Sequence, residues 1–224
     1  MIKRTAAATA GLCIAGFIQA DSAHAADFAA SATFQQSLDM VWVLFAASLV
    51  LLMQVGFMLL EAGLVRSKNS INVAQKNLLD LAVSVLIFAI FGFSLAFGTG
   101  GGWFVGFDPR LFGLSGLDPW GLTVFAFQVM FCGTAATIIS GAVAERMRLS
   151  AYICCSVLTA GLIYPVYAHW AWGGALFADA RAVLADAGFV DFAGSTVVHG
   201  TGAWIALAAC TILGPRNGRF ASDG

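Results

Sequence analysis

The sequence predicts an all-α membrane protein with five spanning helices, and three observations support this fold class. Of the 224 residues, 60% are hydrophobic and only 10% are charged, whereas about a quarter of the residues in an average soluble domain are charged. Uncharged apolar stretches long enough to cross a lipid bilayer recur along the chain. The formal net charge of −1 provides no positive field for nucleic acid, so we predict no nucleic-acid partner.

The first 25 residues are predicted to be a signal peptide. Lys3 and Arg4 form a short basic region, residues 6–18 are apolar, and residues 23–25 provide a small-x-small cleavage site. The alternative is an uncleaved first helix, although the apolar stretch is short for a hydrocarbon core about 30 Å thick. The sequence therefore favours a secreted amino terminus.

Five apolar segments of the remaining chain are predicted to be membrane-spanning helices. A helix rises about 1.5 Å per residue, so about 20 residues cross the hydrocarbon core. The third segment contains Gln128, Thr134 and Thr137, which predicts that one of its faces contacts protein or a polar path and not lipid. All five belong to one predicted domain, residues 26–219, and residues 220–224 start a cytoplasmic loop or mark a truncation. The predicted spans are residues 39–65, 71–98, 121–146, 149–177 and 192–213.

The distribution of basic residues predicts the orientation of these spans. A basic pair follows the first, third and fifth spans, whereas the opposite loops contain only Arg110 and Arg181. By the positive-inside rule, the mature amino terminus lies outside and the carboxyl terminus lies in the cytoplasm, in agreement with a signal peptide. We therefore predict a multi-pass protein of the cell (inner) membrane. The basic pairs are Arg66 and Lys68, Arg146 and Arg148, and Arg216 and Arg219.

Five residues in or beside the spans are candidates for chemistry, and each also has an ordinary structural explanation. His199 lies eight residues after Asp191, about 12 Å deeper along a helix, where an ionisable group is costly and often lines a path. A buried histidine can equally be a hydrogen-bonded core residue. Trp172 fits an interfacial anchor, the pair Phe127 and Phe131, one helical turn apart, fits core packing, and Asp191 fits a helix N-cap.

Six motifs occur in order along the chain. The most specific runs from Asp191 to His199 (Asp-Phe-Ala-Gly-Ser-Thr-Val-Val-His) and continues to residues 214–216, Gly-Pro-Arg. The others lie at residues 56–69, 94–98, 127–131, 144–146 and 168–174. Together they resemble the ammonium transporter (Amt/Rh) family, and the resemblance covers about residues 40–219.

This resemblance implies a fold of eleven helices, built as two five-helix repeats of inverted topology and a final helix. The chain supplies the first five-helix repeat of that fold. The resemblance also implies ammonium or ammonia as the substrate, assembly as a homotrimer and a PII signalling protein as a cytoplasmic partner. We predict no enzyme activity, no metal site and no cofactor, because the chain has no nucleophile beside a base, no metal-ligand cluster and no phosphate-binding loop.

The resemblance also implies a role for each candidate residue. Trp172 and Phe127 form an external recruitment site for NH4+, and Phe131 is half of a phenyl gate. His199 is one of two histidines that line the pore, and Asp191 supports the site without binding the ion. NH4+ would be collected at Trp172 and dehydrated beside Phe131, and it would release a proton at or before His199, so that the pore conducts NH3 with or without H+.

Two other functions stay open at this point, together with two structural expectations. The chain is alternatively the ammonium-sensing membrane domain of a signalling protein, or a truncated half transporter that does not conduct. We expect His169 to be an interfacial residue, because it lies near the outer end of the fourth span. We expect Glu61 and Asp80 to form structural ion pairs, because basic residues are within reach and Lys76 lies four residues before Asp80.

Overall fold

In a computed structural model of the chain, the described residues include five helices that are long and apolar enough to cross a membrane. The backbone is described for residues 2–177 and 179–220, and the side chains for residues 33–177 and 179–220. The all-α membrane fold class is confirmed. The predicted signal peptide lies outside the residues whose side chains are described and stays a prediction.

The chain divides into two compact units, residues 1–42 and 43–224. All described residues of the first unit belong to helix α1 (Ile2–Leu64). The second unit contains the remaining spans and every site described below.

Several spans are composite, because short π-helical or 3₁₀ turns interrupt the α-helix. The first span is Thr33–Leu64 of α1, and the third is α4 (Pro119–Val143). The second span, Ser67–Phe97, joins α2 (Ser67–Ile87), a π-helical turn (Phe88–Gly92) and α3 (Phe93–Phe97). The fourth, Leu149–Ala175, joins α5 (Leu149–Leu158), a π-helical turn (Thr159–Ile163), α6 (Tyr164–Trp172) and a 3₁₀ turn (Gly173–Ala175). The fifth, Ser195–Leu213, joins a π-helical turn (Ser195–Gly200) to α7 (Thr201–Leu213).

Local sequence determines where the third span begins and the fifth ends. The Asp118 carboxylate accepts a hydrogen bond from the Gly121 N–H at 2.7 Å, and Pro119 occupies the first turn of α4. This cap and the fixed φ of proline start the helix two residues before the predicted position. At the other end, α7 stops at Gly214, whose φ of +73° is readily adopted by glycine, and Pro215 follows.

The second and fourth spans cross closely at their π-helical turns. A Cβ atom on Gly92 would lie 2.5 Å from the carbonyl oxygen of Ala160, so only glycine fits at this crossing. Pro165, just beyond the second turn, has no N–H to donate, which disrupts the regular α-helical hydrogen bonding there. The close crossing fixes the path of α6, which carries Trp172.

An aromatic core lies behind this crossing. Phe88, Phe93, Phe97 and Tyr164 are fully buried, and the ring centroids of Phe93 and Phe97 are 5.1 Å apart. Aromatic pairs at this separation stabilise one another beyond the burial of their area. The partly buried rings of Phe131 and Trp172 pack against the hydrophobic cluster to which this core belongs.

Candidate functional site

Three half-buried aromatic rings from the third and fourth spans form a continuous group. The ring centroids of Phe127 and Phe131 are 4.8 Å apart with an interplanar angle of 89°. Those of Phe131 and Trp172 are 6.0 Å apart at 62°. Both are edge-to-face arrangements, in which the electron-rich face of one ring meets the positive edge of the next. The structure thus brings together three of the predicted site residues.

The indole of Trp172 is held from two sides. Its Nε1–H donates a hydrogen bond to the carbonyl oxygen of Asp191 at 2.6 Å. On the other side, the indole lies close to Gly194, where an added Cβ would be 3.3 Å from Cη2 of Trp172 and 2.6 Å from Cγ2 of Val198. Gly194 also has a φ of +88°, which side chains rarely tolerate. Glycine at this position therefore allows the close approach of indole and helix.

The carboxylate of Asp191 caps the fifth span with five hydrogen bonds. Its Oδ1 accepts from the N–H groups of Gly194 at 2.8 Å and Ser195 at 3.0 Å. Its Oδ2 accepts from the N–H and the hydroxyl of Thr196, at 2.9 and 2.7 Å, and from the N–H of Val197 at 2.8 Å. Burial, the largest single influence, raises the pKa of this carboxyl, but the hydrogen bonds together outweigh it and the net pKa is lowered. An ionised Asp191 thus satisfies the free N–H groups at the start of the span.

His199 occupies an exposed position of the π-helical turn that begins the fifth span. Within residues 33–177 and 179–220, its imidazole forms no hydrogen bond, whereas its backbone N–H donates to Gly194 at 3.0 Å. The preceding Val198 is buried in the cluster against which Phe131 and Trp172 pack. His199 is therefore next in sequence to the packed site, while its own side chain faces outward from the described residues.

The interpretation of His169 as an interfacial residue is wrong. The side chain is completely buried, with Nδ1 2.9 Å from the carbonyl oxygen of Ala96 and Nε2 3.1 Å from that of Gly102. The loop after the second span folds over this part of α6 and encloses the ring. His169 therefore links two spans and a loop as a buried structural residue.

The predicted ion pair between Lys76 and Asp80 is also wrong. Lys76 is buried, and its Nζ donates to the carbonyl oxygen of Met147 at 2.9 Å. Asp80 accepts hydrogen bonds from Gln54 Nε2 at 2.8 Å and Thr137 Oγ1 at 2.9 Å. The sequence contained a signal for this site, because each of these polar residues interrupts an otherwise apolar span.

The expected ion pairs of Glu61 are replaced by another arrangement. Glu61 accepts a hydrogen bond from Asn77 Nδ2 at 2.8 Å. Arg66, a basic residue five positions after Glu61, instead donates to Glu145 at 2.9 Å, and Asn69 donates to the same oxygen at 2.8 Å. The hydrogen bond from Arg66 is the main reason that the pKa of Glu145 is lowered to about 2. The ion pair between Arg66 and Glu145 connects the ends of the first and third spans.

Five spanning helices and a site formed by residues of the third and fourth spans and the start of the fifth define a multi-pass α-helical membrane protein. The model of the Ammonium Transporter Family matches residues 41–224, and the chain belongs to this family. A candidate ammonium transporter of Synechocystis sp. is 53% identical over 194 residues, which are 84% of this chain and 35% of the relative. The ammonium transporter Amt2 of Archaeoglobus fulgidus is 42% identical over 197 residues, or 84% of this chain and 41% of the relative.

Solved structures show the same similarity. A structure described as a sensor Amt protein superposes with a TM-score of 0.81 and 39% identity, covering 85% of this chain and 48% of that chain. The crystal structure of Candida albicans Mep2 gives a TM-score of 0.68 and 29% identity over 80% of this chain and 39% of that chain. The chain thus spans less than half the length of these relatives. Those named ammonium transporters are transport proteins and not enzymes.

Proposed function

We propose that the protein containing this chain transports ammonium, collecting NH4+ at Trp172 and Phe127 and conducting NH3, with or without H+, past Phe131 and His199. Membership of the Ammonium Transporter Family supports the substrate. The observation that carries the site is the contact between Phe131 and Trp172, whose indole N–H is bonded to Asp191.

The recruitment step uses the electron-rich faces of the aromatic rings. A cation over the face of a Trp ring is attracted by about 0.5–2 kcal/mol, more when water is excluded. Trp172 and Phe127 are half-buried, so their rings are partly shielded while a face can still meet solvent. An attraction of this kind favours a weakly hydrated cation and explains collection of NH4+ without a carboxylate ligand.

In the conduction step, NH4+ must lose its positive charge before it enters the apolar interior of the membrane. Carrying the intact ion inward would require fixed dipoles to replace its water ligands. Phe131 supplies no such dipole, whereas the neutral imidazole of His199 offers one hydrogen-bond donor and one acceptor. An imidazole whose ring nitrogens have no partner among the described residues can bind NH3 or relay its proton.

The proposed function also includes an oligomeric state and an orientation in the membrane. We infer a homotrimer in the cell (inner) membrane, with the mature amino terminus outside and the carboxyl terminus in the cytoplasm. Arg66, Arg146 and Arg216 follow alternate spans and support this orientation. The cytoplasmic side, which carries these arginines, would also face a PII signalling protein.

A second candidate function is ammonium sensing. The structure that superposes with a TM-score of 0.81 is described as a sensor Amt protein. A membrane domain of this kind would bind ammonium at the same aromatic site and report occupancy to an attached signalling module. In either case, residues 1–224 alone are expected to conduct no ammonium, because a closed path needs the facing half of the fold.

Reconstitution of the full-length protein tests these functions. An inward ammonium gradient across liposomes should produce uptake of radiolabelled methylammonium above that of protein-free liposomes. If uptake is absent and an attached signalling module responds to ammonium, the result favours the sensing function over the transport function. Absence of both would refute the proposed function.

A further inference from the structure

A second polar site lies inside the membrane, among the first four spans and apart from the aromatic site. Its centre is the carboxyl group of Asp80, a residue that is only 1% exposed. Gln54 of α1, Thr137 of α4 and Tyr152 of α5 surround this carboxyl. The proposed ammonium path uses none of these residues.

The two oxygens of Asp80 have different surroundings. Oδ1 accepts hydrogen bonds from Gln54 Nε2 at 2.8 Å and Thr137 Oγ1 at 2.9 Å. Oδ2 faces the hydroxyl of Tyr152 in a short contact, and the same hydroxyl is 3.0 Å from the carbonyl oxygen of Ala136. The Tyr152 hydroxyl thus makes two contacts with other oxygens, and each contact needs a proton between the two oxygens to be a hydrogen bond.

The number of protons decides which arrangement is satisfied. A tyrosine hydroxyl carries a single proton and can also accept a hydrogen bond. If Asp80 were ionised, that one proton would have to serve both Asp80 and the carbonyl of Ala136. If Asp80 carries a proton on Oδ2, Asp80 donates to Tyr152 and Tyr152 donates to Ala136. We therefore propose that Asp80 is a buried proton-binding site, occupied as a neutral carboxylic acid that donates to Tyr152.

The charges around Asp80 support the same conclusion. Among the described residues, the ionisable groups that interact with Asp80 are Glu61 on α1 and Tyr152 on α5, and the Lys76 ammonium lies 5.8 Å from the centroid of the Tyr152 ring. Lys76 donates its Nζ to the Met147 carbonyl, and no cation lies within 4.0 Å of the Asp80 carboxylate among the described residues. An ionised Asp80 would be a negative charge inside the membrane without a cation in contact, which is costly. A bound proton removes it.

A small cavity lies beside Gln54, which donates to Asp80. The Oε1 of Gln54 and the Oδ1 of Asn77 are buried without a hydrogen-bond partner in the described structure. Both residues line a cavity of about 60 Å³, which is large enough for about two water molecules. Water in this cavity could hydrogen-bond to the unpartnered oxygens of Gln54 and Asn77.

The proton site and the ammonium site occupy different faces of α4. Thr137 follows Phe131 by six residues, which places it about 9 Å farther along the helix and about 240° around its axis. Phe131 packs with Trp172, whereas Thr137 points to Asp80. The proton site and the aromatic site therefore share no side-chain contact through these two residues.

Infrared spectroscopy of the full-length protein in liposomes tests the proposal. A protonated carboxylic acid has a carbonyl stretching band that carboxylates lack and that shifts in D₂O. We expect this band in the wild type, its loss in D80N and its retention in the matched control E61Q, which removes the neighbouring acid. The folded D80N protein should keep the wild-type unfolding temperature, because an amide can donate to Tyr152 and accept from Thr137 as the neutral acid does.

The proposal is overturned if the wild type lacks the band, if D80N keeps it in full, or if E61Q loses it. If D80N fails to fold, the infrared spectrum of Y152F tests the proposal instead. That variant keeps Asp80 and removes the oxygen to which it donates, so the band should persist and move to higher frequency. An unchanged band in Y152F contradicts donation to Tyr152 and also overturns the proposal.

Discussion

Trp172 donates its indole N–H to the backbone carbonyl oxygen of Asp191 at 2.6 Å. The carboxylate of the same aspartate accepts hydrogen bonds from the first N–H groups of the fifth span. One residue thus holds both the recruiting indole and the start of the helix that carries His199. The geometry of the proposed site therefore depends on Asp191 although this residue need not touch the ion.

Replacing Asp191 with Asn should impair transport by distorting the site. In the wild type, Oδ2 accepts hydrogen bonds from the N–H groups of Thr196 and Val197. An amide nitrogen in the place of Oδ2 cannot accept, so both N–H groups would lose their acceptor. Burial of unsatisfied donors of this kind costs about 1–3 kcal/mol. We expect a lower unfolding temperature and reduced methylammonium uptake by the full-length protein. Asp186→Asn in the exposed loop is the control, and equal losses in both variants would contradict the role given to Asp191.

Replacing Gly194 with Ala should displace the indole of Trp172. The added Cβ would lie 2.6 Å from Val198 and 3.3 Å from Trp172 at a backbone φ of +88°. Gly188→Ala is a matched control, because Gly188 has a φ of +85° and no atom within 4 Å of the added Cβ. Backbone strain alone costs about 1–2 kcal/mol in either variant. The Gly194 variant should lose more thermal stability and more transport, and identical behaviour would argue against close packing on Trp172.

Replacing Trp172 with Leu should weaken the recruitment of ammonium. Loss of a cation–π contact worth about 0.5–2 kcal/mol corresponds to an increase of about 2- to 30-fold in the half-saturation concentration. Trp204→Leu serves as the control, because Trp204 is 73% exposed on α7. Uptake measured over a range of ammonium concentrations separates affinity from maximal rate. An unchanged half-saturation concentration in Trp172→Leu would remove Trp172 from the recruitment site.

Acid should weaken the link between the first and third spans. The fold lowers the pKa of Glu145 from its ordinary value of 4.5 to about 2. Its stabilising contribution is therefore fully present above about pH 4.5 and is lost as the pH falls toward 2. Arg66→Gln removes the main hydrogen bond responsible, so its unfolding temperature should start lower and fall less on acidification.

Unfolding temperatures at about pH 6 and pH 3 measure this difference in detergent-solubilised protein. Arg181→Gln is the control, since Arg181 and Asp186 form a loose exposed pair at 3.6 Å that should contribute little. The explanation fails if wild type and Arg66→Gln lose the same stability on acidification.

The sequence predicted those features that depend on local composition. Each apolar stretch forms a spanning helix in the structure because uncharged residues over about 20 positions suffice to cross the membrane. The capping role of Asp191 was also visible, since it stands just before the apolar periodicity of the last span. The N-cap position itself is occupied by Gly194, three residues later, and the Asp191 carboxylate reaches the first N–H groups from there. The edge-to-face contact of Phe127 and Phe131 follows from their spacing of one helical turn.

Features that depend on distant contacts were not predictable in this way. Asp80 and Tyr152 are separated by 72 residues, and His169 and Ala96 by 73. Local spacing favoured an ion pair for Asp80 and an interfacial position for His169, but tertiary packing provided other hydrogen bonds. Which polar residues of a membrane protein meet is decided by the crossing of helices, and one sequence does not specify that crossing.

In the proposed function, the imidazole of His199 lines a path for ammonia. Substitution of His199 by Ala in the full-length protein, reconstituted in liposomes, tests it directly, with Thr211→Ala on the same span as the control. The measurement is methylammonium uptake together with K⁺ flux. We expect the His199 variant to lose uptake or to leak K⁺, while the control keeps both properties of the wild type. Uptake and selectivity equal to those of the wild type in His199→Ala would contradict the claim.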